Sequence, residues 1–203
     1  MPERIRLGVL ASGRGSNLQA IIDAIEKGTL DAVLAVVISN KIVAPALERA
    51  RKHGAAAVFL DPKAAPGRED YDRNILEQLR LYDVTLVVLA GYMKIVTSVL
   101  LDAYAERMMN IHPSLLPAFP GLTPQKQALD WGAKVSGCTV HFVTEGVDAG
   151  PIIRQAAVPV LETDTEESLA ARILVEEHRI YPEAIQLFAQ GRLTVEGRQV
   201  RIR

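Results

Sequence analysis

The sequence predicts an α/β protein built on a doubly wound, mostly parallel sheet, with an antiparallel part toward the C-terminus. Three observations carry this. Short, nearly continuous apolar runs rich in β-branched residues recur along the first half, as strands covered on both faces do. Amphipathic segments alternate with them, which is the pattern of strand–helix–strand units. After about residue 106 the style changes to strand-like runs joined by a turn-rich stretch.

The first strand reads as IRLGVLA (5–11), followed by a helix in NLQAIIDAIEKG. AVLAVVI (32–38) then precedes ALERARKHG, AAVFL (56–60) precedes REDYDRNILEQLRLY, and VTLVVLA (84–90) follows. The first two helical patterns end on Gly28 and Gly54, as helix C-termini often do. VSGCTVHFV (135–143) and PIIRQAAVPV (151–160), joined by TEGVDAG, read as an antiparallel pair. A helix follows, capped by Thr163 or Thr165 with acidic residues in its first turn, and Pro182 is expected to kink or break it. LTVEGRQVRI reads as a hairpin turning at Glu196-Gly197. The expectation is one domain with two lobes, about 1–105 and about 106–203.

At 203 residues, 49% hydrophobic and 23% charged, the chain has an ordinary globular composition. A formal net charge of −1 supplies no field toward nucleic acid or an anionic membrane. Any anionic ligand is then held by a local site. The single cysteine, Cys138, allows no internal disulfide and suits a reducing, cytoplasmic setting. MPERIRLGVLAS lacks the layout of a secretory leader, and no apolar stretch reaches the roughly 18 residues that span a bilayer.

The first strand runs into ASGRGSNLQAI. Gly13 and Gly15 permit tight turning, and Ser16 and Asn17 stand where a helix begins, so backbone N–H groups and the helix dipole can receive an anion. A dinucleotide fingerprint fails: Leu18 replaces the third glycine, and the second strand ends in Ser39-Asn40-Lys41 rather than an acidic residue. No Gly-Lys-Ser/Thr makes a Walker A loop. The ligand expected is a monophosphate; the alternative is an ordinary capped βα turn.

MMNIHPSLLPAFPG (108–121) places Asn110 and His112 two positions apart. At a strand end, alternation puts both on one face, where ligands of open α/β sheets sit. Pro113, Pro117 and Pro120 are expected to hold the next segment in an extended path. A histidine here can be merely structural. Against that stands Asp148, flanked by Gly146 and Gly150, which can reach His112 and favour an imidazolium able to stabilise an oxyanion. Cys138 and His141 fall on opposite faces of a regular strand and no second Cys/His pair completes a set, so no metal is expected. No nucleophile elbow is present.

LASGRGSNLQAII, VVLAGYMKIV, MNIHPSLLPAFPG and HFVTEGVDAGPIIRQ, in this order, resemble the folate-dependent formyltransferases, over nearly the whole chain. The resemblance implies the Rossmann-like fold of that family. It also implies transfer of a formyl group from 10-formyltetrahydrofolate as co-substrate, without a metal. The Ser-Gly-x-Gly-Ser-Asn loop narrows the acceptor to glycinamide ribonucleotide, a step of purine biosynthesis. By this resemblance Asn110, His112 and Asp148 are the catalytic trio, with Asn110 also touching folate. Gly15, Ser16 and Asn17 match the phosphate loop, and Glu177 matches a glutamate at the glycinamide end. Arg68 matches a folate-contacting arginine, and Met93, Lys94, Ile95 and Val96 match the segment lining the pteridine pocket. Thr123-Pro124-Gln125 stand where some members carry histidines, which puts loop contacts rather than chemistry in question; Lys94 stands where a relative has Arg, a change with no evident consequence.

The implied partners are small molecules, with neither nucleic acid nor membrane, for a monomer or homodimer. Two rivals keep the folate and change the acceptor to methionyl-tRNA or to water. The first ordinarily brings an extra C-terminal domain and a basic surface, the second an N-terminal regulatory domain, and neither is expected here. A third rival is a non-catalytic binder of a phosphorylated ligand, for which the Asn–His–Asp combination has no use.

Overall fold

A computed structural model describes residues 4–203; residues 1–3, the start of the stretch tested for a leader, lie outside it. The chain divides into two compact units, Met1–Met109 and Asn110–Arg203.

The first unit contains β1 (Ile5–Leu10), α1 (Ser16–Glu26), β2 (Ala32–Ser39), α2 (Pro45–Lys52), β3 (Ala56–Phe59), α3 (Arg68–Leu81), β4 (Leu86–Leu89) and α4 (Ser98–Ala103). Its strands lie in the order β3-β2-β1-β4, all parallel. Leu7, Val9 and Leu10 of β1, Val36–Ile38 of β2 and Leu86–Val88 of β4 are fully buried, which is why these strands read as nearly continuous apolar runs. The chain goes outward from β1 to β2 and β3, then returns to β4 on the other side of β1. That reversal is the switch point beyond whose strand ends a crevice forms.

The strand β5 (Met108–His112) leads into the second unit, which holds α5 (Pro124–Asp130), β6 (Val135–Phe142), β7 (Ile152–Pro159), α6 (Glu166–Ala189), β8 (Leu193–Glu196) and β9 (Gln199–Ile202). β6 and β7 are antiparallel, β7 and β9 pair in parallel, and β8 and β9 form the terminal hairpin. The expected fold class is therefore present in both its parallel and antiparallel parts.

Four details differ from expectation. The helix α6 runs through Pro182 without breaking. The proline removes one backbone bond, but Tyr181, Pro182, Ala184 and Ile185 are all buried, at roughly 1.5–3 kcal/mol per large apolar side chain, so packing outweighs the loss. Its N-terminus carries a capping box in which Ser168 N–H donates to Thr165 Oγ1 at 3.2 Å and Thr165 N–H donates to Ser168 Oγ at 2.9 Å. The hairpin turns at Gly197-Arg198, one residue later than expected, since Glu196 pairs with Gln199. The segment after His112 does not run extended. Ala118 N–H donates to Leu115 O at 3.0 Å, and Phe119, Gly121 and Thr123 take positive φ. Finally α4 and α5, which no sequence pattern announced, are present.

Candidate active site

In the first unit the loop after β1 is built as the sequence predicts. Gly15 caps α1 in the left-handed region at φ 72°, and no side chain caps the helix. A Cβ on Gly15 would lie 3.0 Å from that of Ala46, so both the conformation and the packing require glycine. Ala46 N–H donates to Gly13 O at 3.3 Å and Arg49 Nε–H to Arg14 O at 3.0 Å, pinning the loop. Ser16 and Asn17 form the first turn of α1, with Asn17 buried. This is a helix N-terminus fit for a phosphate.

Arg68, Met93, Lys94 and Ile95 come together around one pocket of about 520 Å³, with Tyr71, Asp72, Pro62 and the run Ala65, Pro66 and Gly67. Met93 and Ile95 are 67% and 63% exposed, so the pocket presents apolar side chains to solvent. Val96 is buried instead. Arg68 Nη2–H donates to Ile95 O at 3.3 Å, and Lys94 Nζ lies 5.8 Å from the centre of the Tyr71 ring. Asp72 is buried and accepts from Thr97 N–H at 2.6 Å. Its pKa is raised, chiefly by burial, against the Thr97 bonds and the charges of Arg68 and Lys94.

In the second unit, Asn110, His112 and Asp148 meet. Alternation along β5 places both side chains on one face, and His112 Nδ1 lies 3.2 Å from Asp148 Oδ2. Asn110 Nδ2–H donates to Asp148 Oδ1 at 3.4 Å, and Gly121 N–H donates to Oδ2 at 2.8 Å. Asp148 sits at φ 52° in a turn closed by Gly150, where a Cβ would fall 1.7 Å from Phe142 O, so only glycine fits. His112 Nε2 is 2.9 Å from Phe119 O. Both ring nitrogens thus face acceptors, an arrangement satisfied at both only by the imidazolium. Burial pushes the Asp148 carboxyl up, but bonds from His141 and Gly121 and the charges of the two histidines outweigh it and hold its pKa below the ordinary value.

His141 was missed as a site residue. It is buried, its Nδ1–H donates to Phe142 O at 2.8 Å, and its Nε2 lies 3.3 Å from Asn110 Nδ2 and 3.7 Å from Asp148 Oδ1. A register shift between Val140 and His141 interrupts the regular alternation that had set it aside. Cys138 is buried, and burial, with Glu177 and Glu176 nearby, pushes its thiol up to about 12; it stays protonated. Glu177 lies buried on α6. Among the described residues no group of three His, Cys, Asp or Glu is placed to hold a metal, and no helix is long and apolar enough to cross a membrane.

The profile of a family described as "Formyl transferase" matches residues 5–185. The phosphoribosylglycinamide formyltransferase of Escherichia coli K12 is 48% identical over 185 residues, 91% of this chain and 87% of that protein. The crystal structure of glycinamide ribonucleotide transformylase 1 from Symbiobacterium toebii matches with a TM-score of 0.98 at 60% identity, covering all of this chain and 95% of that one. A formyltetrahydrofolate deformylase from Pseudomonas syringae pv. tomato superposes with a TM-score of 0.91 at 29% identity, over 99% of this chain and 66% of that one. With the family profile spanning most of its length and close relatives aligned almost end to end, the chain belongs to the formyl transferase family.

Proposed function

We propose that the protein transfers the formyl group of 10-formyltetrahydrofolate to the amine of glycinamide ribonucleotide, a step of purine biosynthesis, with Asn110, His112 and Asp148 as the reacting centre. The observation that carries this reading is the carboxylate-held imidazole beside an amide donor, in a family whose relatives at this similarity include phosphoribosylglycinamide formyltransferases.

The neutral amine attacks the formyl carbon, and negative charge gathers on the formyl oxygen. Asn110 Nδ2–H and the His112 imidazolium donate to that oxygen, each well-placed donor contributing about 2.7–4 kcal/mol. Here His112 Nε2 faces Phe119 O and Asn110 Nδ2 faces Asp148, so each exchanges that partner for the formyl oxygen. The ionised Asp148 holds the imidazolium and, through water, helps carry a proton from the attacking amine to N10 of the folate, so that the oxyanion collapses to the new formamide as the bond from the formyl carbon to N10 breaks and tetrahydrofolate leaves. Gly15, Ser16 and Asn17 bind the phosphate, and Glu177 the glycinamide end. Arg68 and the Met93–Val96 segment hold the folate. Holding both substrates together supplies an entropic share beyond any single side chain.

A single buried cysteine and a net charge of −1 support a cytoplasmic enzyme of small molecules, without nucleic acid; we propose that it acts as a monomer or homodimer.

The likeness to a deformylase makes water the rival acceptor, and one assay separates the two. Purified protein is mixed with 10-formyltetrahydrofolate, and deformylated folate is followed by absorbance with and without glycinamide ribonucleotide. Turnover only with the ribonucleotide is expected. Turnover without it would make the protein a hydrolase, and none in either mixture would make it a binder.

A further inference from the structure

Between Gly91 and Thr97 the chain has neither helix nor strand, so the shape of this stretch is set by what other elements offer its backbone. Ser12, the first residue after Ala11 beyond β1, is 2% exposed. Its Oγ accepts from Met93 N–H at 2.9 Å and donates to Asn40 Oδ1 at 2.7 Å. Its own N–H donates to Gly91 O at 3.1 Å. It stands at the switch between β1 and β4, immediately before the glycine-rich loop. At the other end of the stretch, Asp72 takes Thr97 N–H.

We infer that Ser12 is a positioning residue for folate: its hydroxyl, oriented by Asn40, fixes the backbone at Met93 and thereby the Met93–Ile95 wall of the pocket. The proposal rests on the reading of that pocket as the folate site. A neighbouring position in the phosphate loop would lead one to expect an effect on the ribonucleotide as well. The bonding says otherwise. The phosphate loop is pinned by backbone bonds from Ala46 and by Arg49, none of which uses the Ser12 hydroxyl. Removing that hydroxyl leaves Met93 N–H and Asn40 Oδ1 without it, and touches only the folate side.

The test is equilibrium binding of tetrahydrofolate and, separately, of glycinamide ribonucleotide to the full chain. Ser12→Ala is expected to raise the Kd of tetrahydrofolate about tenfold, as one unsatisfied buried group does. The ribonucleotide Kd should stay within about twofold, and kcat at saturating folate within about threefold, with the loss confined to KM. Ser12→Thr, which keeps the hydroxyl, should recover most of the folate affinity. Asn40→Ala loosens the hydroxyl from a more exposed position and should weaken folate alone by about threefold; it decides the matter if Ser12→Ala does not fold. Equal weakening of both ligands, or unchanged tetrahydrofolate binding, overturns the inference. Wild-type protein that binds neither ligand overturns the proposed function instead.

Discussion

Asp72 and Asp148 are both largely withdrawn from water, yet burial leads to opposite results. Asp72, in the first unit, accepts from Thr97 N–H at 2.6 Å, and its pKa rises because desolvation outweighs the Thr97 bonds and the charges of Arg68 and Lys94. Asp148, in the second, is faced by Gly121 N–H at 2.8 Å, His112 at 3.2 Å, Asn110 at 3.4 Å and His141 at 3.7 Å, and its pKa falls. The donors converging on the oxygens, rather than depth alone, decide the direction in which each carboxyl's pKa moves. Asp72 shapes a backbone; Asp148 supplies a fixed negative charge to an imidazole.

The largest break in that contrast should come from Asp148→Asn. Turnover is expected to fall about 10³-fold while the Kd of each substrate stays within about threefold, measured by single-turnover kinetics and calorimetry. A near-normal rate would remove Asp148 from the mechanism. Next, Ser16→Ala with Asn17→Ala should weaken glycinamide ribonucleotide about tenfold and leave tetrahydrofolate binding nearly intact. Equal weakening of both would reduce the loop to a structural turn.

A smaller effect lies in acid stability. The depressed pKa of Asp148 contributes stability that is full above the ordinary carboxylate pKa and lost as pH falls through the lower, folded-state value. Asp148→Asn should therefore flatten the fall of Tm in that acid window. A slope like the wild type's would show that the donors around Asp148 do not favour its charged form. The smallest effect has the other sign. The raised pKa of Asp72 means that its charge opposes folding at neutral pH, so Asp72→Asn, which still accepts from Thr97 N–H, should raise Tm by about 1–3 °C. A clear drop would mean that Arg68 and Lys94 need the charge more than burial penalises it.

How much was legible follows from the same physics. β1, β2 and β4 were readable because most of their residues are buried and the apolar runs are nearly continuous, Arg6 alone standing inside β1. The trio was readable because strand alternation aims Asn110 and His112 together and glycines flank Asp148. The six- and seven-residue helices α4 and α5 show too few turns for a period to emerge. Pro182 misled because local backbone preference gave way to packing around Tyr181 and Ile185. His141 and the carbonyl of Phe119 depend on a register shift and on turns with positive φ, which no side-chain pattern reports. The role of Ser12 rests on an acceptor and a donor far away in the chain, and its serine looks like any other in a glycine-rich loop.

The most direct test of direct transfer by the Asn110–His112–Asp148 centre follows the formyl carbon itself. An isotope-labelled formyl group on 10-formyltetrahydrofolate is tracked by NMR in the presence of glycinamide ribonucleotide. The label should pass wholly to the ribonucleotide's amine as a formamide, with no free formate, and Asp148→Asn should slow that passage without diverting it. Labelled formate as the main product would contradict the account and assign the chain to hydrolysis.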